Sequence, residues 1–197
     1  MRVPSSSLSP STLLAFERSG HCTTSSLLPP KQIFQNIPAI DAAYDSQQLS
    51  VHRQKLCVLL GEEAVADIEH NAVDDASLLG TMRRRLAALP EGAAPFLQGF
   101  NLWRSSADVA ALACHPVLAG TAAALLDCER VRLYQDSLFV KRPNDGATHW
   151  HSDLAMAPLD TNAFVTVWLP LQRVPTEADG GSGLVFAGGS HRDVALH

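Results

Sequence analysis

Two histidines and an aspartate fall within the stretch Thr148 to Leu154, THWHSDL, of a chain whose charged groups are otherwise scattered. Imidazole and carboxylate held this close are metal-binding chemistry. His151 and Asp153 are separated by a single serine, so on a strand both side chains would project from one face and grip one ion together. With a further histidine from another strand, the pair would complete a two-histidine, one-carboxylate facial triad, which holds Fe(II) and leaves its remaining corners to substrates. The other reading of the same string is an exposed turn rich in polar residues, with no ligand role. Context favours a site: strand-like sequence on both sides, Trp150 between the histidines, and a second polar cluster, Gln135, Asp136 and Ser137, one strand upstream.

These groups need elements to position them, and the chain changes character part-way along. Its first half reads as helical. Ser9 can cap a helix with Pro10 at the first position, Leu13, Leu14 and Phe16 packing inward and Gly20 stopping it. Pro30 opens a segment in which Ile33, Ile37 and Ile40 keep helical spacing, with Pro38 kinking or breaking it. Further helical pattern runs from Leu56 to Leu89, and Pro90 to Pro95 marks a loop. Ser106 caps another helix, and His115 with Pro116 breaks it before the next begins.

From Val131 the sequence turns β-like. VRLYQDSLFVK and AFVTVWLPLQRV (Ala163 to Val174) are rich in β-branched and aromatic residues, and LVFAG follows the Gly-rich ADGGSG loop. Helices first and strands afterwards predict an α+β arrangement with an antiparallel sheet.

Composition narrows the partners. The chain has 197 residues, 46% hydrophobic, enough for one domain with a real core. A net charge of -5 gives no broad positive field for nucleic acid, and the one basic run, Arg83 to Arg85, fits a solvated helix face. A small-molecule partner is expected. No apolar run is read as approaching a membrane span of about 20 residues. The four cysteines, Cys22, Cys57, Cys114 and Cys128, form no CxxC pair, and Cys114 and Cys128 sit in apolar helical sequence where a thiol acts as a small hydrophobe. A reducing, intracellular compartment fits. The Ser-rich opening reads as a capped helix, with an organelle transit peptide as the other reading.

One resemblance is partial. THWHSD is similar to the start of the metallo-β-lactamase-like zinc hydrolase motif, with His149, His151 and Asp153 in its first three places. Leu154 stands where the fourth group belongs, and no alternating βαβ pattern surrounds it. Zinc-dependent hydrolysis is therefore an alternative.

A second resemblance covers most of the chain. LSPSTLLAFERSGH, LLPPKQI, FLQGFNLWR, VRLYQDSLFVKRP, THWHSDLAMAPLDT, FVTVWLPLQRVP and GSGLVFAGGSHR together, in this order and spacing, resemble the phytanoyl-CoA dioxygenase family of Fe(II)- and 2-oxoglutarate-dependent oxygenases. The resemblance implies a double-stranded β-helix, the cupin-like jelly roll, carrying an N-terminal helical layer. It implies a single domain over residues 1–197, helical over about 8–128 and strand-forming over about 131–197. It makes His151 and Asp153 the first two iron ligands, and Gln135, Ser137 and Trp168 neighbours of 2-oxoglutarate. The retained aspartate points to hydroxylation, since halogenating relatives lack that carboxylate. Fe(II), 2-oxoglutarate, O₂ and a small organic substrate are the implied partners. A catalytically silent binding or regulatory protein on the same fold is the other class. His191, in the GGSHR turn, resembles a family histidine that is not a ligand. In the family a third ligand histidine and a 2-oxoglutarate-binding arginine come from strands beyond that turn. His197 follows His191 by only six residues, so the domain is read as incomplete, its C-terminal strands missing.

Overall fold

Ser9, Pro10 and Gly20 delimit the first helix as their chemistry requires. The Ser9 hydroxyl accepts from the Thr12 amide at 3.1 Å, Pro10 opens α1 (Pro10–Ser19), and Gly20 ends it in the left-handed region at φ 78°. The computed structural model describes residues 8–90, 96–142, 145, 148–181 and 183–192. Most of the expected loop from Pro90 to Pro95 lies outside those residues, as do the start of the Ser-rich opening, Ser182 and His197.

The chain divides into two compact units. The first comprises residues 1–37, 111–133 and 150–197; the second comprises 38–110 and 134–149. Within the first, α2 (Pro30–Phe34) begins at the expected proline and buries Ile33. The break before the next helix falls at Gln35 and Asn36, and Pro38 sits in the first turn of α3 (Ile37–Asp45), where its missing N–H leaves no helical bond unmade. α3 otherwise belongs to the second unit.

That second unit has a defined core. α4 (Gln48–Leu60), α5 (Glu62–His70) and α6 (Asp75–Ala87) pack together through Leu56, Val65, Ile68, Leu78, Met82 and Leu86, joined by Leu97. A capping box between Asp74 and Ser77 starts α6. Arg53 ties α4 to α5, its Nε donating to Glu69 at 2.8 Å and its terminal nitrogen reaching Glu62 at 3.2 Å. Against this core lies a two-stranded antiparallel sheet, β1 (Leu97–Phe100) with β2 (Ser137–Val140), pairing Leu97 with Val140 and Phe100 with Ser137. Gly99 has no Cβ because one there would stand 3.0 Å from the Tyr44 ring.

Ala107–Leu125 is 19 residues long and apolar enough, by length and composition, to cross a membrane, which corrects the expectation that no run approaches that length. It folds as two helices, α7 (Ala107–Ala113) and α8 (Pro116–Leu125), broken at His115 and Pro116 as expected; each piece is too short to span a bilayer. In the first unit α8 packs on α1 and buries Leu118, Thr121 and Ala123.

Four expectations need correction. Leu13 and Phe16 are only partly buried and Leu14 is 53% exposed. Cys114 and Cys128 are exposed, because they lie just beyond the ends of α7 and α8 and not within them. The strand expected from Val131 is confined to Ser137–Val140. Ala163 to Val174 and Leu184 to Gly188 form neither helix nor strand. Their β-branched and aromatic content measures how well they would suit a pleated surface; a strand also needs a neighbour for its N–H and C=O groups, and among the described residues none pairs with them.

Candidate metal centre

His151 and Asp153 meet, but not by the route their spacing predicts. The backbone around them is a turn, with Asp153 in the helical region at φ -58° and ψ -36°, leading into a 3-10 turn over Leu154–Met156. The amides of Ala155 and Met156 donate to the carbonyls of Ser152 and Asp153 and close that turn. Strand alternation is therefore not what brings the side chains together. Local curvature does, setting His151 Nε2 3.2 Å from Asp153 Oδ1.

The other carboxylate oxygen is taken. Thr166, thirteen residues on, donates its hydroxyl to Asp153 Oδ2 at 2.6 Å. One oxygen is thus held by the protein while the other faces an imidazole. Both side chains are about half exposed and open to solvent species. Metal bonds of about 2.0–2.2 Å set at right angles would separate an imidazole nitrogen and a carboxylate oxygen by roughly 3 Å. The observed 3.2 Å fits two adjacent corners of one ion. Among the described residues no set of three His, Cys, Asp or Glu side chains is grouped to hold a metal.

The upstream polar cluster divides by face. Gln135 Nε2 lies 3.3 Å from Ser137 Oγ, so these two side chains share a side of the chain as it enters β2. Asp136 points elsewhere and is anchored: its carboxylate accepts from the amides of Leu102 at 3.1 Å and Trp103 at 3.0 Å, and its carbonyl accepts from the Asn101 amide at 2.9 Å. Those amides start the 3-10 turn Leu102–Arg104, which Asn101 enters through the left-handed region at φ 55°. Trp168 lies in the first unit on the Ala163 to Val174 stretch and is 46% exposed.

His191 has structural work. In the first unit its Nε2 bonds the Glu17 carbonyl at 3.1 Å, the Arg192 guanidinium donates to the same oxygen, and the Gly189 amide donates to the Ser19 carbonyl at 2.9 Å. The GGSHR turn thereby satisfies carbonyls left open at the end of α1. Gly20 admits it, since a Cβ there would stand 2.3 Å from the His191 ring. Beside it, the rings of His21 and Phe186 stack at 4.5 Å.

Every one of these residues falls inside the span, residues 16–195, over which the chain matches the family model of phytanoyl-CoA dioxygenase. The chain belongs to the phytanoyl-CoA dioxygenase family. No curated protein and no solved structure matches it. Phytanoyl-CoA dioxygenase relatives are in general non-haem iron oxygenases that use 2-oxoglutarate, on a cupin-like fold. Sequence reasoning missed two polar residues. Thr166 carries no local signal, because an alternating apolar stretch with one threonine reads as an ordinary strand. Asp136 was visible as part of a polar cluster, but its backbone partners lie 33 and 34 residues away.

Proposed function

We propose that this chain is an Fe(II)- and 2-oxoglutarate-dependent oxygenase that hydroxylates a C–H bond of a small organic molecule, with O₂ as co-substrate. His151, as a neutral ring, and Asp153 would supply Nε2 and Oδ1 to the ferrous ion. Gln135, Ser137 and Trp168 would contact 2-oxoglutarate. The fold would be the family's double-stranded β-helix, with the helices as its N-terminal layer. When bound, iron would activate O₂, the oxidant, with 2-oxoglutarate supplying two electrons as it is decarboxylated to succinate, and the protein's part would be to bind, orient and exclude water. Thr166 keeps Asp153 Oδ2 occupied, so that the carboxylate presents one oxygen in one direction.

The observation that carries this reading is the convergence of His151 Nε2 and Asp153 Oδ1 to 3.2 Å within a family of iron oxygenases. The test is succinate formation from 2-oxoglutarate on adding Fe(II), with Asp153→Ala as control. Turnover in the parent and none in the variant supports the reading; metal-dependent hydrolysis with bound zinc and no succinate overturns it. A second reading, a catalytically silent binding or regulatory protein of the same family, is favoured by the pairing of only two ligand-type side chains among the described residues. It predicts metal or 2-oxoglutarate binding with no succinate formed.

A further inference from the structure

Asp136 stands between two residues proposed to meet 2-oxoglutarate, yet its own carboxylate is committed to the protein. Extended backbone sends successive side chains to opposite sides. Gln135 and Ser137 accordingly share one side, 3.3 Å apart, while Asp136 grips the amides of Leu102 and Trp103 from the other. With the Asn101 amide on its carbonyl, this one residue takes three backbone hydrogen bonds from a single turn. The turn itself is held at several points. Asn101 holds the left-handed region at φ 55°, its Oδ1 accepts from the Trp103 indole at 3.2 Å, and Leu102 is 1% exposed. The sheet continues the constraint, since Ser137 is in register with Phe100, the residue just before Asn101.

Three bonds to one turn, two through the side chain and one through the backbone, oppose rotation of the segment about its own axis. That rotation is the motion that would turn Gln135 and Ser137 away from a ligand on the other side. We infer that Asp136 is a positioning residue for 2-oxoglutarate: it touches neither metal nor cosubstrate, and aims Gln135 and Ser137 by clamping the Asn101–Trp103 turn. This rests on the cosubstrate role proposed above for those two residues.

The test compares Asp136→Asn and Asp136→Ala with the parent in the full chain. Asparagine keeps the volume and one acceptor oxygen, so it serves one of the two amides; alanine serves neither. Three quantities are measured: affinity for Fe(II), calorimetric affinity for 2-oxoglutarate added anaerobically to the iron-loaded protein, and hydrogen exchange at the Leu102 and Trp103 amides. The expected result is unchanged metal affinity, a dissociation constant for 2-oxoglutarate raised roughly three-fold by Asn and roughly ten-fold or more by Ala, and faster exchange in the same order. A general loss of structure would weaken metal and cosubstrate binding together. If alanine unfolds the chain, the asparagine variant decides alone. A parent that binds 2-oxoglutarate, with variants that exchange faster yet bind it equally well, overturns the positioning role and leaves the proposed function standing. A parent that binds iron but no 2-oxoglutarate overturns both.

Discussion

Thr166 donates to Asp153 at 2.6 Å from thirteen residues away and takes up the carboxylate oxygen that does not face His151. Without that bond the carboxylate would rotate between two equivalent oxygens, and an ion would meet it in several orientations. Removing the hydroxyl with Thr166→Val is expected to weaken metal binding about ten-fold, the lower end of what loss of a ligand's supporting bond costs. Asp153→Ala is expected to lose more, since it removes the proposed donor itself. Titrating Co(II) and following its visible absorption checks both. Equal affinity in the parent and Thr166→Val would leave Thr166 without a role at the metal.

Gly20 is expected to resist any substitution. Its φ of 78° disfavours a side chain, and a Cβ would stand 2.3 Å from the His191 ring. Gly20→Ala should lower stability by at least ~1 kcal/mol from the backbone alone, with the displaced GGSHR turn adding to it. Urea denaturation measures the loss. Exchange at the Gly189 amide, which bonds the Ser19 carbonyl, should rise in the same variant.

His52 ties stability to acidity. Its ring is 2% exposed, and burial pushes its pKa down. The Gln48 carbonyl, bonded by Nδ1 at 2.7 Å, opposes that shift, and the Arg83 and Arg142 charges add to it. A buried ring that stays neutral leaves the unfolded chain binding more protons over the interval between the two pKa values. Stability is then highest above the unfolded value of about 6.5 and falls as pH drops from there to the depressed folded value. Denaturation midpoints measured from pH 7.5 to 5 should decline, and less steeply in His52→Gln. Parallel declines in the two proteins would assign the effect to other groups.

The four thiols should separate into two classes. Cys114 and Cys128 are exposed and should react with a thiol-specific chromogen first. Burial raises the Cys22 pKa, and burial together with Glu62 raises that of Cys57, so both carry less thiolate and should react several-fold more slowly at pH 7.5. Stopped-flow kinetics with single Cys→Ser variants assigns each phase.

How far the sequence could be read follows from the range of each interaction. Ser9, Pro10 and Gly20 act within one helix and four residues of their targets, so the limits of α1 were legible from composition and order alone. The partnership of His151 and Asp153 was legible from spacing, although through an assumed strand where the chain makes a turn. Asp136 and Thr166 were not legible in these roles, because each acts on partners that only folding brings near. The stretches after Ala163 show the same limit from the other side: Val165, Val167 and Trp168 suit a strand, but a ladder belongs to two segments, and one segment's composition cannot report the second.

The bond from His191 to the Glu17 carbonyl spans 174 residues of chain, and it gives α1 an unusual history during synthesis. At typical elongation rates of 5–20 residues per second, the last turn of α1 emerges roughly 10–35 s before the turn that completes it. Through that interval the Glu17 and Ser19 carbonyls lack the partners the turn supplies. A nascent chain arrested before Gly189 can already pack α8 on α1, but should fray at the last turn of that helix more than one released after Arg192.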